Sequence, residues 1–178
     1  MNKFNNLLFK CLFVIAWIIF IGLMINAGAI IVNFLFSVFK PDFVGRLYQK
    51  LDLIYLKEQS ELGFYAIYSF IVIISVLKAH LFYLVIELMH KLDLNKPFNM
   101  FVSNQISKIS YFTFSIGMLS YMAQETVQGL HRKGIPIGDL NVFWTDSQAF
   151  VLMAAVIYII AVIFKRGIDL QRENDLTV

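Results

Sequence analysis

Ionisable side chains stand inside long apolar runs, among them Lys78, His80 and Glu87 in one and Glu125 in the next. Charge is costly at membrane depth, so such a group faces a partner, a wet cavity or the surface, and each is a candidate for function. Their spacing limits which of them can act together. Lys78 and Glu87 are nine residues apart, which at ~100° per residue puts them on opposite faces of a helix, whereas His80 and Glu87, seven apart, share one. With Pro97 as the turn between two helices, Glu87 falls nearly level with Lys108, and Glu125 lies ~13 Å out of register with Lys78. A bridge between Lys78 and Glu125 is therefore not expected. Counting inward along the first two runs brings Asn26 level with Lys78 as its best hydrogen-bond partner. With no carboxylate at that depth, Lys78 must be neutral, snorkel to the surface, or hold an anion or lipid headgroup in a wet cavity.

Other chemistries lack their residues. His80, His90 and His131 are scattered, the one cysteine, Cys11, can form no internal disulfide, and there is no HExxH, GxSxG, P-loop or dinucleotide fingerprint. The expectation is a protein that is not an enzyme and takes no metal or cofactor. A net charge of +3 spread over short loops also argues against direct contact with nucleic acid.

The elements that must position these groups are four apolar stretches, about 9–39, 63–89, 101–130 and 143–164, each long enough to cross the ~30 Å hydrocarbon layer as a helix. With 59% apolar, 16% aromatic and 15% charged residues and a mean hydropathy of +0.71, no span remains for a second, water-soluble core. The expected fold is all-α, an integral membrane four-helix bundle forming one domain over residues 1–178, in contact with the lipid bilayer on most sides. Lys3 and Lys10 ahead of Ala27-Gly28-Ala29 imitate a cleaved signal, but the run continues to Phe39 and reads as an uncleaved span. The termini and second loop carry eight Lys and Arg against six in the first and third loops, which places both ends in the cytoplasm.

Between the spans, Pro41 can open a helix in which Leu47, Leu51 and Ile54 share a face, a short amphipathic cap over the bundle. Residues 91–98 make a tight hairpin, Gly134 to Asp139 a turn, and Thr145 or Asp146 can cap the last span, with Trp144 at the headgroup level. Small and polar residues form two stripes: Gly22, Asn26, Ala29 and Asn33 on the first span, and Ser103, Ser110, Gly117 and Gln124 with Thr113 and Ser120 on the third. In lipid such faces let helices approach and hydrogen-bond, so the two stripes are expected to form the inner seam.

The hairpin Lys96-Pro97-Phe98, followed by Asn104 and Ile106 to Ile109, and the ending from Ile163 to Val178, with Arg166-Gly167, Leu170-Gln171 and Glu173-Asn174-Asp175-Leu176-Thr177-Val178, resemble the bacterial four-span family DUF2975. That resemblance implies a bacterial inner-membrane protein. Because members are encoded in many genomes beside a small helix-turn-helix regulator of the Xre or Cro type, it also implies a membrane sensor or binding partner for such a regulator. The docking candidates are then Arg166, Ile168, Leu170, Arg172, Glu173 and Leu176 in the tail, with Ile168→Asp expected to release the partner without affecting insertion. The intramembrane candidates are Asn26, Lys78, His80, Glu87, Gln124 and Glu125. The competing expectation is a small transport or immunity-type protein using a polar cavity around Lys78, alone or as a homo-oligomer enclosing a pore.

Overall fold

All three prolines, Pro41, Pro97 and Pro136, lie between the apolar stretches, so no missing N–H or ring clash interrupts a helix before a loop is reached. A computed structural model describes residues 3–47, 51, 53–92, 98–138, 140–144 and 146–175. The expected turn at Lys96 and Pro97, a cap by Thr145, and Leu176 lie outside them. The described chain is all-α: α1 (Lys3–Phe39), a 3-10 turn (Pro41–Arg46), α2 (Ile54–Gln59), α3 (Glu61–Lys91), α4 (Met100–Arg132) and α5 (Ser147–Asp175). Side-chain oxygens occupy the free N–H groups at three helix starts. Gly63 N donates to Ser60 Oγ (3.1 Å), Val102 N to Asn99 Oδ1 (2.9 Å) and Ala149 N to Asp146 Oδ1 (3.1 Å).

Among the described residues three helices are long and apolar enough to cross a membrane: α1 over Leu7–Phe39, α3, and α5 over Ser147–Glu173. The fourth long helix, α4, has 33 residues but carries the polar stripe. The close interfaces join neighbours in chain order, α1 with α3, α3 with α4 and α4 with α5, which leaves α1 and α5 at the two edges. Side-chain pairs give the registers. Phe13 lies beside His90, Phe20 beside Tyr83 and Phe34 beside Tyr68; Gln105 meets Leu84 and Glu87; Ser103 Oγ donates to the Ala161 carbonyl and Ser110 Oγ to that of Ala154. A Cβ on Gly117 would meet Val151, Phe150 and the Ser147 carbonyl within 3.1 Å. Thus α5 begins level with Gly117, about fifteen residues or ~22 Å short of the end of α4, and overhangs its start by about ten residues.

The space left above α5 is filled by the loops. Leu51, Leu53 and Leu56 from one side and Ile137, Leu140 and Trp144 from the other are buried against Phe64, Ile67 and Tyr68. This end is called the cap end below, and the opposite one the tail end. The loops correct several expectations. The first loop is no single amphipathic helix, because Leu51, Leu53 and Leu56 turn inward together, which one helix face cannot do. The last helix starts at Ser147 rather than Phe143, since residues 141–144 form a turn, and Trp144, 7% exposed, is a core side chain and not a headgroup anchor.

Half of the expected seam is displaced. On α4, Ser103, Ser110, Thr113, Gly117 and Ser120 are buried and Gln124 half-buried. On α1, Gly22 and Asn26 are exposed and Ala29 is half-buried; the buried line runs instead through Ala16, Ala27, Ile30, Asn33 and Ser37. Being apolar all round, α1 is oriented by which small residues fit α3, not by polarity.

Candidate functional site

A cluster of buried polar side chains lies beneath the cap. Asn33 and Ser37, one turn apart on α1, and Tyr68 on α3 are each fully buried. The Tyr68 hydroxyl is 2.6 Å from Asn33 Oδ1, 3.0 Å from the Leu51 carbonyl and 2.7 Å from Ser37 Oγ. Ser37 and Tyr68 have one hydroxyl proton each, which they share among each other, Asn33 Oδ1 and the Leu51 carbonyl. Among the described residues Asn33 Nδ2 is buried with no hydrogen-bond partner, at a cost of roughly 1–3 kcal/mol. Beside this cluster, Lys57 of α2 reaches the carbonyls of Ser37 and Val38 (3.5 and 3.4 Å) and lies 5.5 Å from the centre of the Phe64 ring. It supplies the last turn of α1 with a cation that α1 itself lacks, satisfying carbonyls left free at a helix end.

Sequence spacing pointed to Asn33 but not to its partners. Tyr68 is one aromatic in an apolar run, and Lys57 carries no signal that it bends back to α1.

Lys78, ten residues along α3 from Tyr68, also reaches a cap loop. Its Nζ donates to the Phe143 carbonyl at 3.3 Å and not to Asn26, which is exposed on α1. Counting along straight helices missed the loop that enters beside them. Irregular backbone is tolerated at such depth only where protein groups satisfy it, and Lys78 does so for one loop carbonyl. His80 faces α4, its ring 4.6 Å from that of Phe112, and also edges an apolar crease of ≈ 330 Å³ between α1 and α3. Gln124 is half-buried and Glu125 exposed.

At the tail end, Glu87 accepts from Lys91 Nζ and Gln105 Nε2, both at 2.8 Å, and Gln105, 1% exposed, also reaches the Leu84 carbonyl. Lys108, expected opposite Glu87, stands near enough for its charge to act on that carboxylate. His80 and Glu87 do face the same helix, as their spacing requires. In the tail, Arg166, Leu170, Arg172 and Glu173 are exposed, whereas Ile168 is 5% exposed. Phe98 covers this stretch: its ring lies tilted against that of Phe164, centres 5.2 Å apart, and a Cβ on Gly167 would sit 2.9 Å from it. Ile168 is thus a packing residue, and Ile168→Asp would strike the fold itself.

A family model described as a protein of unknown function (DUF2975) matches residues 46–178. The chain belongs to the DUF2975 family. The resemblance carried by the Lys96-Pro97-Phe98 hairpin and the C-terminal ending therefore holds, and the DUF2975 match takes in the cap loops and α3 to α5 while leaving α1 outside. No curated protein and no solved structure matches the chain.

Proposed function

We propose that the chain is a non-enzymatic protein of the bacterial inner membrane that crosses it four times, with both termini cytoplasmic, and senses a condition at the cap to present or restrain a small helix-turn-helix regulator at its tail. The fourth crossing is α4. Its Ser and Thr hydroxyls and Gln105 do not oppose it, because they either face α5 and α3 or return their proton to their own helix, as Ser115 Oγ does to the Tyr111 carbonyl and Thr126 Oγ1 to that of Met122, while the exposed charges Lys108 and Glu125 stand within about two turns of its ends. The registers put Lys10, Lys91 and Lys165 close to one level at the tail end, a basic collar of the kind that stays cytoplasmic.

The observation that carries the regulatory reading is the continuity of α5. One helix of 29 residues starts in the cap, against Gly117, and ends about ten residues past the collar with Arg166, Leu170, Arg172 and Glu173 exposed. A shift of the cap would move that face as a rigid rod. The regulators encoded beside family members supply the partner's chemistry, a small soluble protein able to meet one apolar side chain ringed by mixed charge. The test is binding of such a purified regulator to the detergent-solubilised chain. Leu170→Asp or truncation after Asp169, which spares the buried Ile168, should abolish binding while the protein remains monodisperse; undiminished binding would refute the docking face. A transport reading would have to use Lys78, one of whose three ammonium protons goes to the Phe143 carbonyl.

A further inference from the structure

The crease between α4 and α5 changes character along its length. Toward the tail end it opens as a groove of ≈ 520 Å³ whose polar lining includes Asn104, Ser107, Lys108 and Lys165. Deeper in, it continues as an apolar groove of ≈ 410 Å³ along Phe114, Val151 and Ala155. Tyr111 and Tyr158, their rings 6.1 Å apart, line both parts and mark the change.

We propose that this crease binds one anionic phospholipid of the cytoplasmic leaflet, its phosphate between Lys108 and Lys165 and an acyl chain along Phe114 and Ala155. The proposal rests on the membrane reading above for the leaflet. The two lysines stand about nine residues, or ~13 Å, apart along the axes, yet they converge. Side chains lean toward the N-terminus of their own helix, so on these antiparallel helices Lys108 reaches toward the collar and Lys165 back toward the membrane. Among the described residues neither has a carboxylate within ion-pair distance; Glu87, whose carboxylate feels Lys108, is held by Lys91 and Gln105. Two cations outside any close ion pair among the described residues, tyrosines at the boundary and a small-residue trough below match a lipid's own order of phosphate, ester region and chain. A soluble phosphate would use the upper groove alone.

The experiment is native mass spectrometry of the full chain in mild detergent with phosphatidylglycerol, phosphatidylcholine or inorganic phosphate added. Phosphatidylglycerol should be retained in preference to phosphatidylcholine by roughly fivefold per lysine, undiminished by excess inorganic phosphate. The double variant Lys108→Gln, Lys165→Gln should lose the preference, and Ala155→Leu should weaken retention with both lysines intact. Lys40→Gln with Lys133→Gln, the same charge change at the cap end, should leave it unchanged. Equal retention of the two lipids, displacement by inorganic phosphate, or an equal loss in the cap-end control would overturn the site. Should the lysine variant not fold, the wild-type lipid preference and the phosphate competition still decide. Lipid retention in detergent does not depend on which side the termini occupy, so its failure would leave the topology standing.

Discussion

At the scale of single residues, the cap is held by side chains whose loss strands other polar groups. Tyr68→Phe keeps the ring contacts with Phe34 and Phe64 and deletes one oxygen, taking the side-chain partner from the Leu51 carbonyl and leaving Ser37 Oγ and Asn33 Oδ1 with only their long 3.5 Å contact. Buried groups left unmade cost more than a hydrogen bond nets, so the expected loss is about 1–3 kcal/mol, read as a lower melting temperature in detergent and faster proteolysis of the first loop. Lys78→Met replaces one long chain by another of similar volume and removes a single bond to Phe143. Bonds inside membrane proteins average only ~0.6 kcal/mol, so global stability should barely move while proteolysis within residues 133–146 quickens. A strong loss of function without any change in that loop would instead restore a cavity role for Lys78.

Elements differ in how far their sequences disclosed their packing. The α4 seam was legible because Ser103, Ser110 and Gly117 repeat at heptad spacing in an otherwise apolar run, and small polar residues in lipid serve close approach. The corresponding stripe on α1 misled because a lipid-facing surface is as apolar as a packed one, so periodicity could not separate Ala27, buried, from Asn26, exposed. The cap was illegible for another reason: α5 starts ~22 Å short of α4, and nothing in residues 133–146 states that they descend into the gap. The seam gives the prediction at this scale. Gly117→Leu would drive a side chain into Phe150, Val151 and the Ser147 backbone, and backbone cannot swing aside. Overpacking typically costs 1–3 kcal/mol, and here roughly the upper end or beyond is expected, measured as lowered resistance to unfolding in SDS. Gly167→Leu meets only the Phe98 ring, which can rotate, so it should cost less.

For the whole molecule, the proposed four crossings rest on packing as much as on hydropathy. Three helices satisfy hydropathy unaided, and α4 is the one whose crossing must be argued. It runs antiparallel along α3 from Gly63 beside Leu130 to Glu87 beside Gln105, so a non-crossing α4 would have to abandon that interface and the seam with α5 together. Cysteine labelling decides between these. In a Cys11→Ser background, an impermeant maleimide applied to spheroplasts should label Asp42→Cys and Arg132→Cys, and reach Lys91→Cys and Arg172→Cys only after lysis. If α4 does not cross, Arg132→Cys will instead be protected alongside Lys91→Cys, and Arg172→Cys will label from outside. That second pattern would place the α5 overhang away from the cytoplasm, where no helix-turn-helix regulator could meet Leu170, so a single labelling experiment tests the topology and the regulatory reading that depends on it.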